Sequence, residues 1–562
     1  MPMGGPDQLV EAVPPHRRVT LLLSLLLILV CGLAVAEYGR ALAYPFSRDD
    51  LAHFAMKERW KRPPAQVLDH FREDFWGGEP ERGLYRPLTC ATIQATAWAR
   101  GISPRALRAG NLLLLALTGL AAAALARRGG ISRAGSALLA LALVAHPLLS
   151  EGVMEVVSRG ELQATAFALA AAALLLGGSH ALLRALGAAV AFLVALLSKE
   201  GAFAVLPALL LLLLPVRRHG FVAPALLLFA ALGVALWMRV RVLGGAVGLD
   251  PRVVSTLDNC LIDQPLAVRV LTGVANLGRF VGLLVWPGQL SADYSFAAIR
   301  PLTQMGDPRF ATGAAALVFG AVWLAGALRR RRTLEAFGLL LAGASWFLVS
   351  SIATPIGTIF SERILCLPAC GVLIALVAAA DRMAGARTLT LRRAAAATAL
   401  VGVVALGART FVRAGDWRDE ETLYTAALSI APDSARVQCT VAQWLHEKKD
   451  RLGAGARARR ALEIKPDYRR PMSVVARLAF ETFRTQKQPA FLVQADVWFW
   501  LAANAPGSDI DDARNLEQIE LAVRDAGLPR EDLERAATAI ADAHPGQPLY
   551  EKLRAAFATA QH

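Results

Sequence analysis

Two adjacent carboxylates follow the first apolar run of the chain, in the sequence Ser47-Arg48-Asp49-Asp50. A carboxylate that is open to solvent but close to a hydrophobic wall suits a general base, because partial burial raises its pKa. Asp49 and Asp50 are therefore candidate catalytic residues that would take a proton from a hydroxyl group. The same spacing also fits a helix N-cap, at Ser47 or Asp49, ahead of Leu51.

A second polar segment runs from His146 to Glu161 between two strongly apolar stretches. Glu151, Glu155 and Arg159 are spaced at successive i, i+4 steps, so on one helix they would share a face in the favourable Glu-before-Arg order. Unpaired charge between apolar segments is expensive, which favours a polar cavity over an exposed ion pair. His146 is a candidate site residue, although a lone histidine is more often structural.

Two charged pairs interrupt other apolar runs, at Lys199-Glu200 and Glu362-Arg363. Each pair could simply neutralise itself at the membrane interface. The pairs also belong to a set of cations that would meet a phosphate group, since ammonium and guanidinium groups are common phosphate ligands. The other members of this set are Arg48, Arg86, Arg159 and Arg279.

The elements that must position these residues are membrane helices. The chain has 562 residues, of which 55% are hydrophobic, against about 45–50% in soluble domains. A bilayer crossing needs about 20 apolar residues, and the pattern predicts about eleven crossings. They lie near 19–37, 105–126, 134–150, 161–178, 181–198, 201–215, 221–241, 311–328, 334–353, 364–381 and 392–411. A twelfth segment, 270–287, contains Asn276 and Arg279.

Arginines in the short loops predict the orientation of these helices. If the arginine-rich loops all lie in the cytoplasm, residues 1–18 are a cytoplasmic N-terminus and segment 270–287 cannot cross once. It would then be re-entrant or interfacial. The same parity places the candidate residues, the loop 38–104 and the C-terminal tail on the extracytoplasmic face. We expect an integral protein of a bacterial inner membrane, with a membrane domain over 19–411.

The tail, residues 416–562, has the composition of soluble helices. Ala427-Leu428 with Pro432-Asp433 recurs as Ala461-Leu462 with Pro466-Asp467, an offset of 34 residues. This is the tetratricopeptide (TPR) period. A TPR-like solenoid is therefore predicted, with an unrelated helical bundle as the alternative, and it would bind an acceptor or a partner protein.

Composition narrows the classes of partner and cofactor. The net charge is +15, but the arginines cluster between apolar segments, which favours membrane orientation over nucleic-acid binding. The six cysteines show no spacing typical of a zinc site or a disulfide framework. No cofactor is required by the sequence. If a divalent metal takes part, Asp49 is its candidate ligand.

The ordered motifs resemble one family. DFWG at 74–77, YRPLT at 85–89, HPxxxEGV at 146–153, SRGEL at 158–162, SKE at 198–200, ADYS at 292–295 and GTxxSERxLxLP at 357–368 follow the Asp49-Asp50 pair in order. With the trailing repeats, this order is similar to the transmembrane and tetratricopeptide-repeat O-mannosyltransferases and their bacterial relatives. Three positions differ: Leu149 replaces a frequent second His, and Cys366 and Ala369 replace a usual Tyr and Ser.

The resemblance implies an all-α membrane protein, a GT-C-type helical bundle, that carries out inverting sugar transfer from a polyprenyl-phosphate sugar. It implies that the acidic motif, carried here onto Asp49 with Asp50 beside it, supplies the base. The acceptor would be a Ser or Thr hydroxyl of a protein, with a mannose-like sugar. The substrate-binding candidates are then Arg86, His146, Glu151, Glu155, Arg159, Lys199, Glu200, Glu362 and Arg363.

Other functions remain open at this stage. The enzyme could transfer a sugar to a polysaccharide or a lipid, or ligate a preassembled glycan. The chain could also be a non-catalytic membrane scaffold that displays repeats, although a scaffold has no need of buried charge. A transporter would place charges at mid-membrane depth, whereas here they lie at helix ends.

Overall fold

The computed structural model describes residues 15–54, 58–78, 83–177, 181–214, 218–245, 254–385, 387–507 and 510–559. These residues form α-helices joined by turns and short 3-10 helices, with no β-strand among them. The prediction of an all-α protein is confirmed. Most of the predicted cytoplasmic N-terminus lies outside the described residues.

Fifteen helices cover the described part of the chain up to Asp416. They are α1 (Pro15–Tyr38), α2 (Asp49–Phe54), α3 (Pro87–Arg100), α4 (Pro104–Arg128), α5 (Arg133–Ala145), α6 (Ser150–Met154), α7 (Arg159–Leu175), α8 (Ala181–Ser198), α9 (Leu206–Leu213), α10 (Arg218–Leu243), α11 (Leu266–Val285), α12 (Pro308–Arg329), α13 (Thr333–Val349), α14 (Cys366–Gly385) and α15 (Leu389–Asp416). Polar caps fix several starts: Ser103 accepts a hydrogen bond from Ala106 N, and Ser132 from Gly135 N.

Eight helical segments in the described residues are long and apolar enough to cross a membrane, and a bent pair makes nine. The bent pair joins Arg133–Ala145 to Pro147–Met154 at an angle of 53°. Three of the eleven predicted crossings are shorter helices: Arg159–Leu175, Glu200–Leu213 and Thr333–Val349. The protein is an integral membrane protein by these helices, with fewer full-length crossings than the hydropathy pattern predicted.

The helix α11 covers the segment whose path was in question. It is a continuous helix of 20 residues, which is about 30 Å long at 1.5 Å per residue and matches a hydrocarbon core. A re-entrant break is therefore not what this segment forms. If α11 crosses the membrane, the arginine-rich loops before and after it cannot all lie in the cytoplasm. The orientation of the chain therefore stays a prediction.

Small residues allow the apolar helices to pack closely, as is typical of membrane bundles. A Cβ atom on Gly338 of α13 would lie 2.4 Å from the carbonyl oxygen of Gly371 in α14, and one on Gly371 would lie 2.5 Å from that of Gly338. The interior of α4, α7 and α8 is rich in buried alanine. This packing holds the helix ends, where the charged motifs lie, in fixed positions.

The chain divides into two compact units. The first comprises residues 1–247, 318–348 and 363–415, and the second 248–317, 349–362 and 416–562. The second unit thus combines the predicted tail with two segments of the membrane region. Its tail helices are α16 (Glu420–Ile430), α17 (Ala435–Glu447), α18 (Arg451–Ile464), α19 (Arg469–Gln486), α20 (Pro489–Asn504), α21 (Ile510–Asp525), α22 (Arg530–Asp542) and α23 (Pro548–Thr559).

The repeated sequence elements occupy equivalent places in this tail. Ala427 and Ala461 are fully buried, and α16 and α18 each end two residues before the repeated proline. Each of these helices is followed by a second helix, as stacked helix pairs require. The assignment to TPR repeats stays a prediction that these helix boundaries support.

A loop of the second unit is bonded to the first of these pairs. The backbone N–H of Ala435 donates to the carbonyl oxygen of Phe296 at 3.2 Å, and Phe296 packs against the buried cluster that contains Ala435 and Tyr468. Arg436 forms ion pairs with Asp258 and with Asp293 of the ADYS motif. This motif therefore anchors the loop on the tail helices.

Candidate active site

The first predicted motif lies at the start of the short helix α2. Arg48 has a left-handed backbone conformation with φ of +53°, which costs a non-glycine residue about 1 kcal/mol or more. The turn is closed by backbone hydrogen bonds from Asp50 N to Ser47 O and from Leu51 N to Arg48 O. It directs the two neighbouring carboxylates, Asp49 and Asp50, into different surroundings.

Asp50 is fully buried and accepts two backbone hydrogen bonds, from Val156 N at 2.8 Å and Val157 N at 2.9 Å. Its pKa is raised from 3.8 to about 7, first by burial and then by the nearby Glu155 carboxylate, while the two N–H donors and Arg108 act in the opposite direction. The role this geometry assigns to Asp50 is to fix the loop at 156–157 to α2.

Asp49 is the accessible member of the pair, with a side chain that is 41% exposed. Its Oδ2 atom lies 3.3 Å from Nη1 and 3.4 Å from Nη2 of Arg363. A guanidinium fork of this kind orients a carboxylate without covering it. Of the two predicted catalytic residues, only Asp49 is placed to meet a substrate hydroxyl.

Glu151 and Glu155 complete the surroundings of Arg363. Glu151 accepts from Arg48 Nη1 at 3.1 Å and from the backbone N–H of Arg363 at 2.9 Å. Glu155 is fully buried, pairs with Arg363 and accepts from Ser158 Oγ at 2.6 Å. Burial raises the pKa of Glu155, and the cations Arg363 and Arg48 oppose this shift.

We call this group the acidic cluster: Asp49, Asp50, Glu151 and Glu155 with Arg48 and Arg363. Its four carboxylates exceed its two guanidinium groups. Burial raises the pKa of Asp50 and of Glu155, and Arg108 also acts on Asp50 electrostatically. Asp49 is the accessible carboxylate of the cluster.

The predicted i, i+4 face of Glu151, Glu155 and Arg159 is wrong. The helix α6 ends at Met154, and Glu155 has extended backbone angles, φ −97° and ψ 113°. The chain turns there before α7 begins, so the three residues do not share one helix. Extended backbone at this point exposes the N–H groups of Val156 and Val157, which Asp50 binds.

Arg159 is consequently not available as a phosphate ligand. Its side chain is buried, and it donates to Asn111 Oδ1 at 2.8 Å, Thr96 Oγ1 at 3.1 Å and Leu107 O at 2.7 Å. These bonds tie the start of α7 to α3 and α4. We assign it a positioning role.

A second group contains Arg86, Lys199 and Glu200 of the predicted set. Glu200 accepts from Arg86 Nε at 2.9 Å and lies 3.6 Å from Arg239 Nη1, while Lys199 pairs with Glu161 at 2.8 Å. We call these five residues the cationic cluster. Among the contacts that the structure describes, this cluster brings three cations and two carboxylates together.

The start of α7 joins the two clusters. Ser158 Oγ lies 3.3 Å from Arg363 Nη1, and Glu161, which pairs with Lys199, follows three residues later. Three residues of helix rise by about 5 Å. Both clusters therefore border the same short stretch of backbone in the first unit.

His146 and Glu362 have local roles. The ring of His146 is buried, and its Nδ1 accepts from Leu148 N at 3.2 Å, which caps the turn at Pro147–Leu149. In the second unit, Glu362 is buried and accepts from the Tyr294 hydroxyl at 2.9 Å. Neither contact marks these side chains as substrate ligands.

Sequence reasoning missed three residues that build the site. Arg108 donates to Met154 O at 2.7 Å and Pro45 O at 2.9 Å, and Asn111, one turn later, donates to Gly152 O at 3.1 Å. Arg239 belongs to the cationic cluster. All three are polar residues inside apolar helices, which is the signal that could have identified them.

The DFWG and YRPLT motifs shape the first loop. Asp74 accepts from the backbone N–H groups of Trp76 at 2.7 Å, Gly77 at 3.0 Å and Gly78 at 2.6 Å, in a turn where both glycines have positive φ. This turn places Phe75 under the guanidinium of Arg86, 4.7 Å from the ring centroid. The loop therefore helps to orient a member of the cationic cluster.

Among the described residues, no group of three or more His, Cys, Asp or Glu is arranged to hold a metal ion. The acidic cluster instead has guanidinium groups between its carboxylates. The predicted use of Asp49 as a metal ligand is a question for experiment.

No family model matches the chain. It is similar to curated protein O-mannosyl-transferases: one of Caenorhabditis elegans is 25% identical over 468 residues, which are 79% of this chain and 63% of that protein. Human TMTC4 is 24% identical over 76% of this chain and 64% of its own length. Human TMTC3 is 23% identical over 78% of this chain and 51% of its own length. The chain thus spans about half to two thirds of these proteins. The resemblance inferred from the motifs is confirmed.

A solved structure also overlaps with the fold. The crystal structure of the Archaeoglobus fulgidus oligosaccharyltransferase, in complex with Zn and sulfate, matches 76% of this chain and 55% of its own, with a TM-score of 0.39 and 13% identity. An overlap at this level does not by itself define the fold.

Proposed function

We propose that the protein is a GT-C-type glycosyltransferase, which moves a mannose-like sugar from a polyprenyl-phosphate donor to a Ser or Thr hydroxyl of a protein. The observation that carries the proposal is the accessible carboxylate of Asp49, held by Arg363 beside a bundle of apolar helices. The resemblance to protein O-mannosyl-transferases supports the choice of sugar and acceptor.

In the proposed reaction, the acceptor hydroxyl gives its proton to Asp49 as its oxygen attacks the anomeric carbon. The bond between that carbon and the phosphate oxygen breaks, and its electron pair leaves with the lipid phosphate. Attack from the face opposite the leaving group inverts the anomeric centre. Arg363 holds Asp49 in place, and buried Asp50 fixes the backbone behind it.

The two clusters divide the work in this proposal. The donor carries one negative charge at its phosphodiester, which the guanidinium and ammonium groups of the cationic cluster would bind. Arg86, Lys199 and Arg239 would also stabilise the second negative charge that develops as the lipid phosphate leaves. The acceptor hydroxyl, which carries no charge, would bind at Asp49 in the acidic cluster.

The test is transfer by the purified protein in lipid nanodiscs, with a panel of polyprenyl-phosphate sugars and of peptide, glycan and lipid acceptors. We expect a labelled peptide product with the mannose donor, and none from Asp49→Ala or Asp49→Asn. Glu58→Gln, an exposed carboxylate in the same loop, is the matched control. An active Asp49→Asn enzyme would refute the assignment of the base.

The same panel separates the alternatives. A product formed only on a glycan or a lipid would replace the protein acceptor while keeping the chemistry. If joint substitution of Asp49, Glu151 and Arg363 changed partner capture but no glycan, the scaffold function would stand instead.

We further propose that both clusters face the extracytoplasmic side and that the tail lies there too. Labelling of single cysteines with a membrane-impermeant maleimide in intact cells tests this orientation. We expect labelling at exposed tail positions such as Leu452→Cys and none at the arginine-rich loop position Arg331→Cys, both in a chain whose six natural cysteines are replaced. If neither position were labelled in intact cells and both were labelled after lysis, the proposed orientation of the tail would be wrong.

A further inference from the structure

A pocket in the second unit lies outside both clusters. It has a volume of about 280 Å³ and is formed by α11, by the start of α12 and by the chain at 299–302. This is close to the lower end of ligand-site volumes, about 300 Å³. The side chains that matter for its chemistry are Thr272, Asn276, Arg279, Leu302, Arg309 and Thr312.

One side chain of this α11 pocket lacks a partner. Asn276 is only 5% exposed, and within the described residues its Nδ2 atom has no hydrogen-bond acceptor. A buried donor that is left unsatisfied costs about 1–3 kcal/mol. Since Asn276 lines the pocket, an acceptor atom placed there would satisfy it.

Arg279 supplies a charge to the same space. It lies inside α11, one of the helices long and apolar enough to cross a membrane, and no carboxylate lies within ion-pair distance of it in the described residues. Its guanidinium approaches the ring of Phe360, 6.0 Å from the centroid. A cation in an apolar helix is expensive unless an anion balances it.

The rim of the pocket does not provide that anion. Arg309 is already paired with Asp307, at 2.6 Å from Nη2 to Oδ2, so the two together are neutral. The pocket therefore retains the single positive charge of Arg279. A ligand with one negative charge and several acceptor oxygens would balance Arg279 and bond to Asn276.

The two helices that line the pocket pack closely. A Cβ atom on Gly313 of α12 would overlap the carbonyl oxygen of Val274, and one on Gly278 of α11 would lie 2.6 Å from Thr312 Oγ1. These glycines therefore let the two backbones come close together beside the pocket, which Gly278 and Thr312 also line.

We propose that the α11 pocket binds the phosphate of a lipid that carries a single negative charge. The phosphate oxygens would accept from Arg279 and from Asn276 Nδ2. Lipid rather than free phosphate is favoured because Ala275, Ile299 and Leu302 line the pocket, and because Leu266 and Leu317 of the same two helices are exposed, at 58% and 46%. The proposal does not rest on the proposed function.

The test measures ligand binding to the delipidated full-length protein by native mass spectrometry and by thermal shift. The probes are phosphatidylglycerol, a polyprenyl-phosphate sugar, inorganic phosphate and a galactolipid without phosphate. We expect phosphatidylglycerol to bind the natural chain and to bind Arg279→Met or Asn276→Leu at least tenfold more weakly. Arg269→Gln, on the same helix, is the control and should bind as the natural chain does.

The probes identify the source of the phosphate. Weaker binding of both phosphatidylglycerol and the polyprenyl-phosphate sugar to Arg279→Met would support a pocket for any singly charged lipid phosphate, and weaker binding of phosphatidylglycerol alone would assign the pocket to a phospholipid. Binding of the galactolipid, or unchanged phosphatidylglycerol binding in both variants with natural thermal stability, would overturn the proposal. Equal competition by inorganic phosphate alone would overturn the lipid part of it. None of these readings depends on Asp49 activity, so the two proposals fail separately.

Discussion

The acidic and cationic clusters are built from the same kinds of residue, yet they differ in how their charged groups are placed. Around Arg363, Asp50 and Glu155 are fully buried and have raised pKa values, while Asp49 is accessible. In the described contacts of the cationic cluster, Arg86, Lys199 and Arg239 meet Glu161 and Glu200. Burial disfavours the charged form of a carboxylate, so the number of carboxylates does not by itself set the charge of the acidic cluster. In the proposed function, the acceptor hydroxyl would bind at Asp49 and the donor phosphate at the cations of the other cluster.

The largest expected effect tests the acidic cluster. Asp49→Asn keeps the shape and a hydrogen bond to Arg363 but removes the base, so kcat should fall by about 10²–10⁴-fold. Measured transfer rates at saturating donor and acceptor check this. If instead the donor KM rises and kcat is kept, Asp49 belongs to donor binding and the division between the clusters fails.

A smaller effect is expected in the cationic cluster. Arg86→Gln and Arg239→Gln each remove a charged donor worth about 1.5–3 kcal/mol, so kcat/KM for the lipid donor should fall about 10–100-fold. The KM for the acceptor should not change. Steady-state kinetics with each substrate varied in turn make the measurement, and Arg86→Lys, which keeps the charge, should recover part of the loss. A raised KM for the acceptor would indicate that the two clusters form a single substrate site.

The next effect concerns pH and the buried carboxylate. Between about pH 4 and pH 7 native Asp50 keeps a proton that the unfolded chain has released, because its pKa is raised from 3.8 to about 7. The native state then binds more protons, so stability falls as pH rises through this window. Thermal unfolding from pH 4 to pH 8 should show a shallower decline for Asp50→Asn than for the natural chain.

Because the pKa of Glu155 is also raised, the stability of Asp50→Asn should still fall somewhat as the pH rises. Identical pH profiles for the two proteins would contradict the buried state of Asp50. Activity of Asp50→Asn should be reduced but present, in contrast to Asp49→Asn.

The smallest effect is expected outside both clusters. His146→Ala removes a turn cap, which is worth about 1 kcal/mol, and should lower the unfolding temperature slightly. Transfer kinetics at low temperature should stay within threefold of the natural enzyme, since the ring accepts a backbone N–H in a buried turn. A hundredfold loss with unchanged stability would place His146 in the reaction.

Much of the fold could be predicted from the sequence because membrane helices are local features. The apolar runs and the caps at Ser103 and Ser132 need no tertiary information, and the helices follow them. The break at Glu155 could not be predicted in this way. Its spacing fits one helix, and the turn is stabilised by Asp50, which is distant in sequence.

The sequence by itself determined that the chain is an all-α membrane protein, which charged motifs interrupt its helices, and which family these motifs resemble. Only the tertiary structure decided that Asp49 is exposed while Asp50 is buried, that Arg159 is used internally, and that Arg239 joins Arg86 and Lys199. The reason is physical. Hydrophobicity and helix propensity act along the chain, whereas the partners and surroundings of a charge are set by residues that folding brings together.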